Sequence, residues 1–130
     1  MGARLRYAKV IDRKLFFDQG GKLHPGLESV IIVDGEPSVA GAFMVLRAWA
    51  DDRGSSTEQW RIQGPSGTIY SSVPREMHLA TKTHMERLQD EISDLKIEQV
   101  EGNYSVAFLL DDEEVARVPF SVRLVGDADR

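Results

Sequence analysis

The sequence contains no cysteine and carries little positive charge. The absence of cysteine excludes disulfide frameworks, thiolate metal sites, iron–sulfur clusters and cysteine nucleophiles. With 16 basic and 21 acidic residues, the chain has a net charge of −5 at pH 7. This charge opposes non-specific binding to nucleic acid or anionic lipid, because such binding depends on neutralising phosphate. We therefore expect neither a nucleic-acid partner nor a membrane partner.

Long hydrophobic runs are also missing. No apolar run approaches the roughly 20 residues that span a bilayer, and Arg4 and Arg6 are not followed by the hydrophobic stretch of a secretory signal. We therefore expect a cytoplasmic protein. A length of 130 residues suits one domain, which we expect to cover residues 1–125, followed by a polar tail at residues 126–130.

The charge is unevenly distributed along the chain. Residues 1–33 hold six Lys or Arg against three Asp or Glu, whereas residues 86–114 hold two against ten. Such polarity could guide head-to-tail self-association, but runs of charge usually form a solvated face. We interpret both segments as solvated.

Most of the chain has the pattern of short strands separated by turns. Residues 40–50 form the longest apolar run, and the turn at residues 64–67 separates two alternating segments in the manner of a hairpin. Alternation is clearest over residues 104–110 and 118–124, where Pro119 predicts a sheet edge or a bend. Strands at this spacing, without helices between them, predict an antiparallel β-sandwich.

Residues 76–97 allow two interpretations. Met77 and Leu79 alternate with polar residues as in a strand, whereas residues 83–86 have the form of a capping box. After that box, apolar residues recur at helical spacing, at Leu88 and Ile92 among others. We predict a strand at about 76–82 and one short helix at about 84–94.

The segment that begins at Glu101 resembles the closing F–G hairpin of immunoglobulin-like domains. In it, Gly102 and Tyr104 match the tyrosine corner, in which a buried phenol bonds to upstream backbone. Together with residues 8–14 and 60–67, this hairpin resembles small bacterial immunoglobulin-like sandwich proteins of unknown function. The resemblance implies an immunoglobulin-like antiparallel β-sandwich and structural roles for Tyr104 and Gly102. It implies no active site.

No group of side chains in the sequence has the spacing of a catalytic or metal site. His78 and His84 would lie too far apart on one strand to share a metal ion, and His24 is remote from both. The acidic run at residues 111–114 is typical of a solvated turn, and no nucleophile elbow or phosphate-binding loop is present. We expect no catalytic residues, no metal and no cofactor.

One strand is apolar on both of its faces. Phe43, Val45, Arg47 and Trp49 alternate with residues that are also apolar, whereas a half-exposed strand should have one polar face. Either the predicted helix at 84–94 covers these four residues, or they form a contact patch for another chain, since aromatic residues and arginine are enriched at binding hot spots.

These observations favour a non-enzymatic protein-interaction module that binds protein, most simply itself as a homo-oligomer. Two alternatives stay open at this stage. One is a structural subunit of a larger bacterial or phage assembly. The other is a small hydrolase or metal-dependent enzyme built on the loops.

Overall fold

The computed structural model describes residues 3–22, 24, 26–35, 38–51, 53–97 and 99–125. The fold is mainly β with one short helix, as the strand pattern predicts. The elements, in chain order, are β1 (Arg4–Asp12), α1 (Arg13–Asp18), β2 (Val30–Asp34), β3 (Ser38–Ala40), β4 (Phe43–Ala50), β5 (Gly54–Gly64), β6 (Gly67–Ser71), β7 (Arg75–Leu79), β8 (Glu86–Ile92), β9 (Lys96–Ile97), β10 (Tyr104–Leu110) and β11 (Glu113–Leu124).

The strands form one large mixed sheet in the order β6-β5-β10-β11-β2-β1-β4-β8, with β3, β7 and β9 attached at its sides. Most pairs are antiparallel, but β2 runs parallel to both β1 and β11. The expectation of a purely antiparallel arrangement is therefore wrong. For β1 and β2, the reason lies in the connection between them, which includes α1 and returns the chain to the same edge, as parallel neighbours require.

Strand β11 changes partners near its only proline. It pairs with β10 as far as Phe120 and with β2 from Ser121 onward. Pro119 has no backbone N–H to donate, so it is tolerated beside this change of partner. We call the strands on one side of this point the β5–β10 half (β6, β5, β7, β10 and the first part of β11) and those on the other the β1–β4 half (β2, β1, β4, β8 and the end of β11).

The two halves face each other across the main core. The rings of Trp49 in β4 and Phe108 in β10 lie edge to face, with centroids 6.4 Å apart. The same buried cluster includes Val10, Ile31 and Trp60, which come from both halves. A smaller cluster lies on the outer side of the β1–β4 half and is built from Ile11, Phe16, Leu27, Met44 and Leu46.

The helix does not lie at 84–94, as the sequence pattern predicts, but at Arg13–Asp18. Residues 86–92 instead form β8, which pairs antiparallel with β4 along its length. Asp12 caps α1, because its carboxylate accepts a hydrogen bond from the Leu15 amide at 3.1 Å. Phe16 then packs the helix against the outer side of the sheet.

The strand predicted at 76–82 corresponds to β7, which ends earlier, at Leu79. The predicted tail at 126–130 lies outside the described residues. Among the helices of the described residues, none has the length and apolar character needed to cross a membrane.

Candidate functional site

The structure places the four residues of the expected contact patch in the core. Phe43, Val45 and Trp49 have no exposed surface, and Arg47 is 1% exposed. The facing β5–β10 half covers them, rather than a helix at 84–94 or a second chain. These residues are therefore not available as a surface for another molecule.

Arg47 belongs to a buried ionic network that joins the two halves. Its Nε and Nη2 donate to the carboxylate of Glu58 at 2.7 and 2.5 Å, and its Nη1 lies 2.9 Å from Oδ2 of Asp90. Trp49 Nε1 donates to Glu58 at 2.7 Å, and Trp60 Nε1 donates to Asp90 at 2.7 Å. In the described part of the chain, no buried side-chain polar atom lacks a hydrogen-bond partner. The network is thus closed on itself, as a structural device would be.

The charge state of Asp90 follows from this network. Burial on its own would raise the pKa of Asp90, but the hydrogen bond from Trp60 and the positive charges of Arg47 and Arg75 outweigh it. The pKa of Asp90 therefore lies below its ordinary value. The carboxylate is charged at neutral pH and serves as a counter-ion rather than as a general acid.

The pair expected at the tyrosine corner lies at the start of β10. Tyr104 is 5% exposed, and its hydroxyl donates a hydrogen bond to the backbone carbonyl of Gln99. Gly102 has a φ of +122°, in the range that favours glycine. A Cβ at this position would lie 2.5 Å from Cγ of Pro65. Both residues therefore position the turn that enters β10.

His78 and His84 each have a hydrogen-bond partner of their own. His78 contacts the Ser55 hydroxyl at 3.1 Å, while His84 accepts a hydrogen bond from the Ala80 amide at 3.0 Å. Across residues 3–22, 24, 26–35, 38–51, 53–97 and 99–125, no cluster of three or more His, Asp or Glu side chains could hold a metal ion.

The outer side of the β1–β4 half carries α1, and its basic residues outnumber its exposed acidic residues, which is not the case on the other outer side. We call it the α1 face. Along β1, Ala8 and Val10 point into the main core, so Lys9 points outward. In β8, Arg87 pairs with Ala48 of β4, which alternates with the inward Trp49, so Arg87 also points outward. The basic residues of the α1 face include Arg4, Lys9, Arg13, Lys14, Arg87 and Arg123, and its exposed acidic residues include Asp18, Glu28, Asp34 and Glu91.

Three of the exposed acids on the α1 face are paired with a base. Arg13 lies 2.8 Å from Glu91 and Lys14 lies 2.9 Å from Asp18, while Arg123 pairs with Glu28. Arg4, Lys9 and Arg87 are not part of these pairs, so the face keeps a positive surplus. The three pairs are solvent-exposed, and such pairs contribute about 0–1 kcal/mol each. Their basic partners can therefore exchange a carboxylate for another anion at small cost.

Three of these bases converge on one cleft. Arg13, Lys14 and Arg123 line an open cleft of about 540 Å³, together with two carboxylates, of which Asp18 is paired with Lys14 and Asp12 caps α1. The cleft lies where α1 begins and where β11 ends. The chain thus brings residues from its two ends to one concave surface that can accept an extended anion.

The outer side of the β5–β10 half differs in charge. Trp60 and Ile62 of β5 point into the core, so Arg61 between them points outward. Ala107 of β10 pairs with Arg61 on one side and with Arg117 of β11 on the other, so Arg117 points outward as well. Glu76 and Glu114 share this side, and Glu114 pairs with Arg117 at 2.7 Å. Two bases and two acids leave this side without a surplus.

Sequence reasoning did not identify the α1 face. The positive surplus in residues 1–33 was the available signal, but it was interpreted as a solvated run. That signal does not include Arg87 or Arg123, which lie far along the chain. Arg87 reaches the α1 face because β8 pairs with β4, and Arg123 reaches it because β11 pairs with β2.

The amino-acid sequence matches no protein-family model and no curated protein. Among solved structures, the chain is similar to the Pseudomonas fluorescens alkylpurine DNA glycosylase AlkC bound to DNA containing an abasic site analog. The TM-score is 0.53 at 11% sequence identity, and the match covers 93% of this chain. It covers 30% of the glycosylase chain, so this chain spans less than a third of that protein's length.

This comparison corrects three expectations drawn from the sequence. We expected a non-enzymatic, self-associating protein-interaction module, with no enzymatic role and no nucleic-acid partner. The fold that almost the whole chain shares is instead found in a DNA-bound enzyme. The net charge of −5 is an average over the whole chain, so it does not reveal the positive surplus of the α1 face.

Proposed function

We propose that this chain is a DNA-binding domain of a DNA-processing enzyme, and that the α1 face contacts the phosphate backbone. The observation that carries the proposal is the convergence of Arg13, Lys14 and Arg123 on one cleft of the face that holds the positive surplus. The fold shared with part of a DNA-bound glycosylase supports the choice of DNA as the polyanion.

The chemistry of the α1 face suits phosphate. Arginine and lysine supply many of the contacts that proteins make to DNA phosphates, together with tyrosine and glutamine side chains. Tyr7 and Gln89 lie on the same face as Arg87, because the register of β1 and β8 on β4 places them there. A phosphate that displaces Glu91 from Arg13 replaces one exposed ion pair with another of higher charge.

An overall negative charge is compatible with this role when the acids lie elsewhere. The acidic turn at Asp111–Asp112 belongs to the β10–β11 hairpin, in the other half of the folded sheet. Repulsion between these acids and DNA would hold the β5–β10 half away from the duplex. It would thus orient the domain with its α1 face toward the backbone.

We also propose that the folded sheet is an immunoglobulin-like sandwich. The hydrogen bond from the Tyr104 hydroxyl to the Gln99 carbonyl supports this, since a tyrosine corner is a hallmark of such domains. Facing halves that share one core support it too. In this arrangement the DNA-binding surface is the outer side of one layer and needs no opening of the core.

Fluorescence anisotropy with a fluorescein-labelled 20-base-pair duplex tests the DNA proposal. We expect the wild-type chain to bind at low salt and to weaken steeply as salt rises. The double variant Arg13→Ala/Arg123→Ala should lower affinity about tenfold or more. It should also make the slope of log K against log salt shallower by about 1.8, the value for two lost phosphate contacts.

The matched control is Arg61→Ala/Arg117→Ala, which removes two arginines from the other outer side and changes the net charge equally. It should leave both affinity and salt slope close to the wild-type values. Equal losses in the two double variants, or no salt-dependent binding by the wild-type chain, would show the proposal to be wrong. Circular dichroism of each variant verifies that it is folded.

A further inference from the structure

A small groove lies on the α1 face between β1 and β8. Tyr7 of β1 and Arg87 and Gln89 of β8 form its sides, while Leu46 of β4 lies at its base. Phe16 of α1 closes one end, and the groove encloses about 220 Å³. Because β4 separates β1 from β8, the backbones of the two strands that carry these side chains run roughly 10 Å apart, which is two strand spacings.

Arg87 is held in place without a counter-ion. Its Nε donates to the Tyr7 hydroxyl at 3.2 Å. The two residues flank Ala48 of β4, which pairs with both of them, so the hydrogen bond passes over this alanine. Within the described part of the chain, no carboxylate pairs with Arg87. Its two terminal nitrogens therefore form a positioned fork of donors, and such a fork recognises two acceptors on one edge of a planar partner.

The base of the groove is apolar. Phe16 and Leu46 are 5% and 6% exposed, and both line the groove. A phosphate alone would gain nothing from this surface, because an anion pays a desolvation cost against apolar atoms. A flat aromatic group would instead pack on it while its polar edge met Arg87 and Gln89.

We infer that this groove binds an unpaired guanine base of the DNA, an inference that rests on the proposed DNA-binding function. Arginine is the residue that pairs bidentately with O6 and N7 of guanine. Unpaired bases are recognised by stacking on aromatic rings together with hydrogen bonds to their edges. Tyr7 therefore has two roles, since its ring borders the base and its hydroxyl positions the Arg87 fork.

The test compares three single-stranded 12-mers by fluorescence anisotropy: oligo-dT, the same strand with one central dG, and the same strand with one central 7-deaza-dG. We expect the single dG to raise affinity about fivefold or more over oligo-dT, within the range for one bidentate base contact. The 7-deaza base lacks the N7 acceptor, so most of this gain should disappear.

Arg87→Lys keeps the charge but removes the fork, so the ratio of its affinities for the dG strand and for oligo-dT should fall to about one. Tyr7→Phe should weaken that preference as well, because Arg87 loses its positioning hydrogen bond. Arg61→Lys, on the other outer side, is the matched control and should keep the preference.

Equal affinity of the wild type for the dG and oligo-dT strands would overturn the guanine site. So would a preference that survives in Arg87→Lys. Salt-dependent binding of the duplex and of oligo-dT would in those cases leave the DNA-binding proposal standing. If neither the duplex nor any 12-mer binds, both proposals are wrong.

Discussion

Trp60 and Asp90 are joined by a hydrogen bond of 2.7 Å from the indole Nε1 to the carboxylate Oδ2, although they belong to different halves of the folded sheet. Asp90 also accepts from Arg75 at 2.9 Å and faces Arg47, so one carboxylate ties β8 to β5 and β7. Hydrogen bonds that involve a charged partner contribute about 1.5–3 kcal/mol each. We therefore regard Asp90 as the main polar link between the halves.

Substitution of Asp90 should reveal that link. Asp90→Ala removes the acceptor of the Trp60 indole and the counter-charge of Arg47, so the free energy of unfolding should fall by about 3–5 kcal/mol. Urea denaturation measures this change. Asp112→Asn, at an exposed turn where the φ of +68° suits asparagine, is the control and should change stability by less than about 0.5 kcal/mol. Equal effects of the two substitutions would contradict the assigned role of Asp90.

The lowered pKa of Asp90 predicts how stability depends on pH. Its pKa is lower in the folded chain than the unfolded value of about 4, so the charged carboxylate stabilises the fold above that pH. This contribution is lost as the pH falls through the folded-state pKa. The stability difference between wild type and Asp90→Asn should therefore be constant from about pH 7 to pH 5 and shrink below pH 4. Denaturation midpoints at stepped pH values measure it, and a difference that grows on acidification would have the wrong sign.

Arg47 and Glu58 provide a separate test of the buried network, because each is 1% exposed. Glu58→Gln removes one charge and leaves Arg47 partly uncompensated, so stability should fall by about 3–5 kcal/mol. Arg47→Met/Glu58→Met replaces both charges with apolar groups but leaves the Trp49 indole without its acceptor, so it should recover only part of that loss. A double variant that is less stable than Glu58→Gln would argue that the ion pair contributes net stability.

The same network explains why β8 was mistaken for a helix. Leu88, Asp90 and Ile92 share the inner side of β8, which is the period of a strand. Asp90 interrupted the apolar alternation, which left Met85, Leu88, Ile92 and Leu95 at steps of three, four and three, the spacing of a helix. The side chains that make Asp90 acceptable inside come from β4, β5 and β7, and sequence pattern does not reveal such contacts.

The alternation of β1, β10 and β11 did predict strands, since each of them has one side in the core. The two-sided apolar pattern of β4 also predicted correctly that both its sides are covered. Local sequence could not tell what covers them, because the α1 crossover and the fold at β11 are long-range features. The α1 face depends on the same features, which bring Arg13 and Arg123 into one cleft.

The hydrogen bond of the Tyr104 hydroxyl offers a test of the turn before β10. Tyr104→Phe keeps the ring against Phe120 but leaves the Gln99 carbonyl without this donor. We expect a loss of about 1–3 kcal/mol in the free energy of unfolding. Tyr70→Phe, which keeps the stacking of its ring on Trp60, is the control. A Tyr104→Phe variant as stable as the wild type would show that the hydrogen bond contributes little.

Gly102 and Gly67 form a matched pair for the last prediction, because their φ angles are +122° and +125°. An alanine at either position is strained, at a cost of about 1–3 kcal/mol. A Cβ at Gly67 meets nothing within 4 Å, whereas a Cβ at Gly102 would lie 2.5 Å from Cγ of Pro65. Gly102→Ala should therefore destabilise the chain by more than Gly67→Ala does, and the excess measures the clash with Pro65.

Adding Pro65→Ala removes the Cγ atom and should bring the cost of Gly102→Ala down toward that of Gly67→Ala. The quantity to compare is the coupling energy between positions 65 and 102 in a double-mutant cycle, measured by urea denaturation. A favourable coupling between the two alanines would show that Gly102 is required for its close approach to Pro65 as well as for its backbone angle. If the two costs simply add, the backbone angle alone accounts for the glycine at the turn that positions Tyr104.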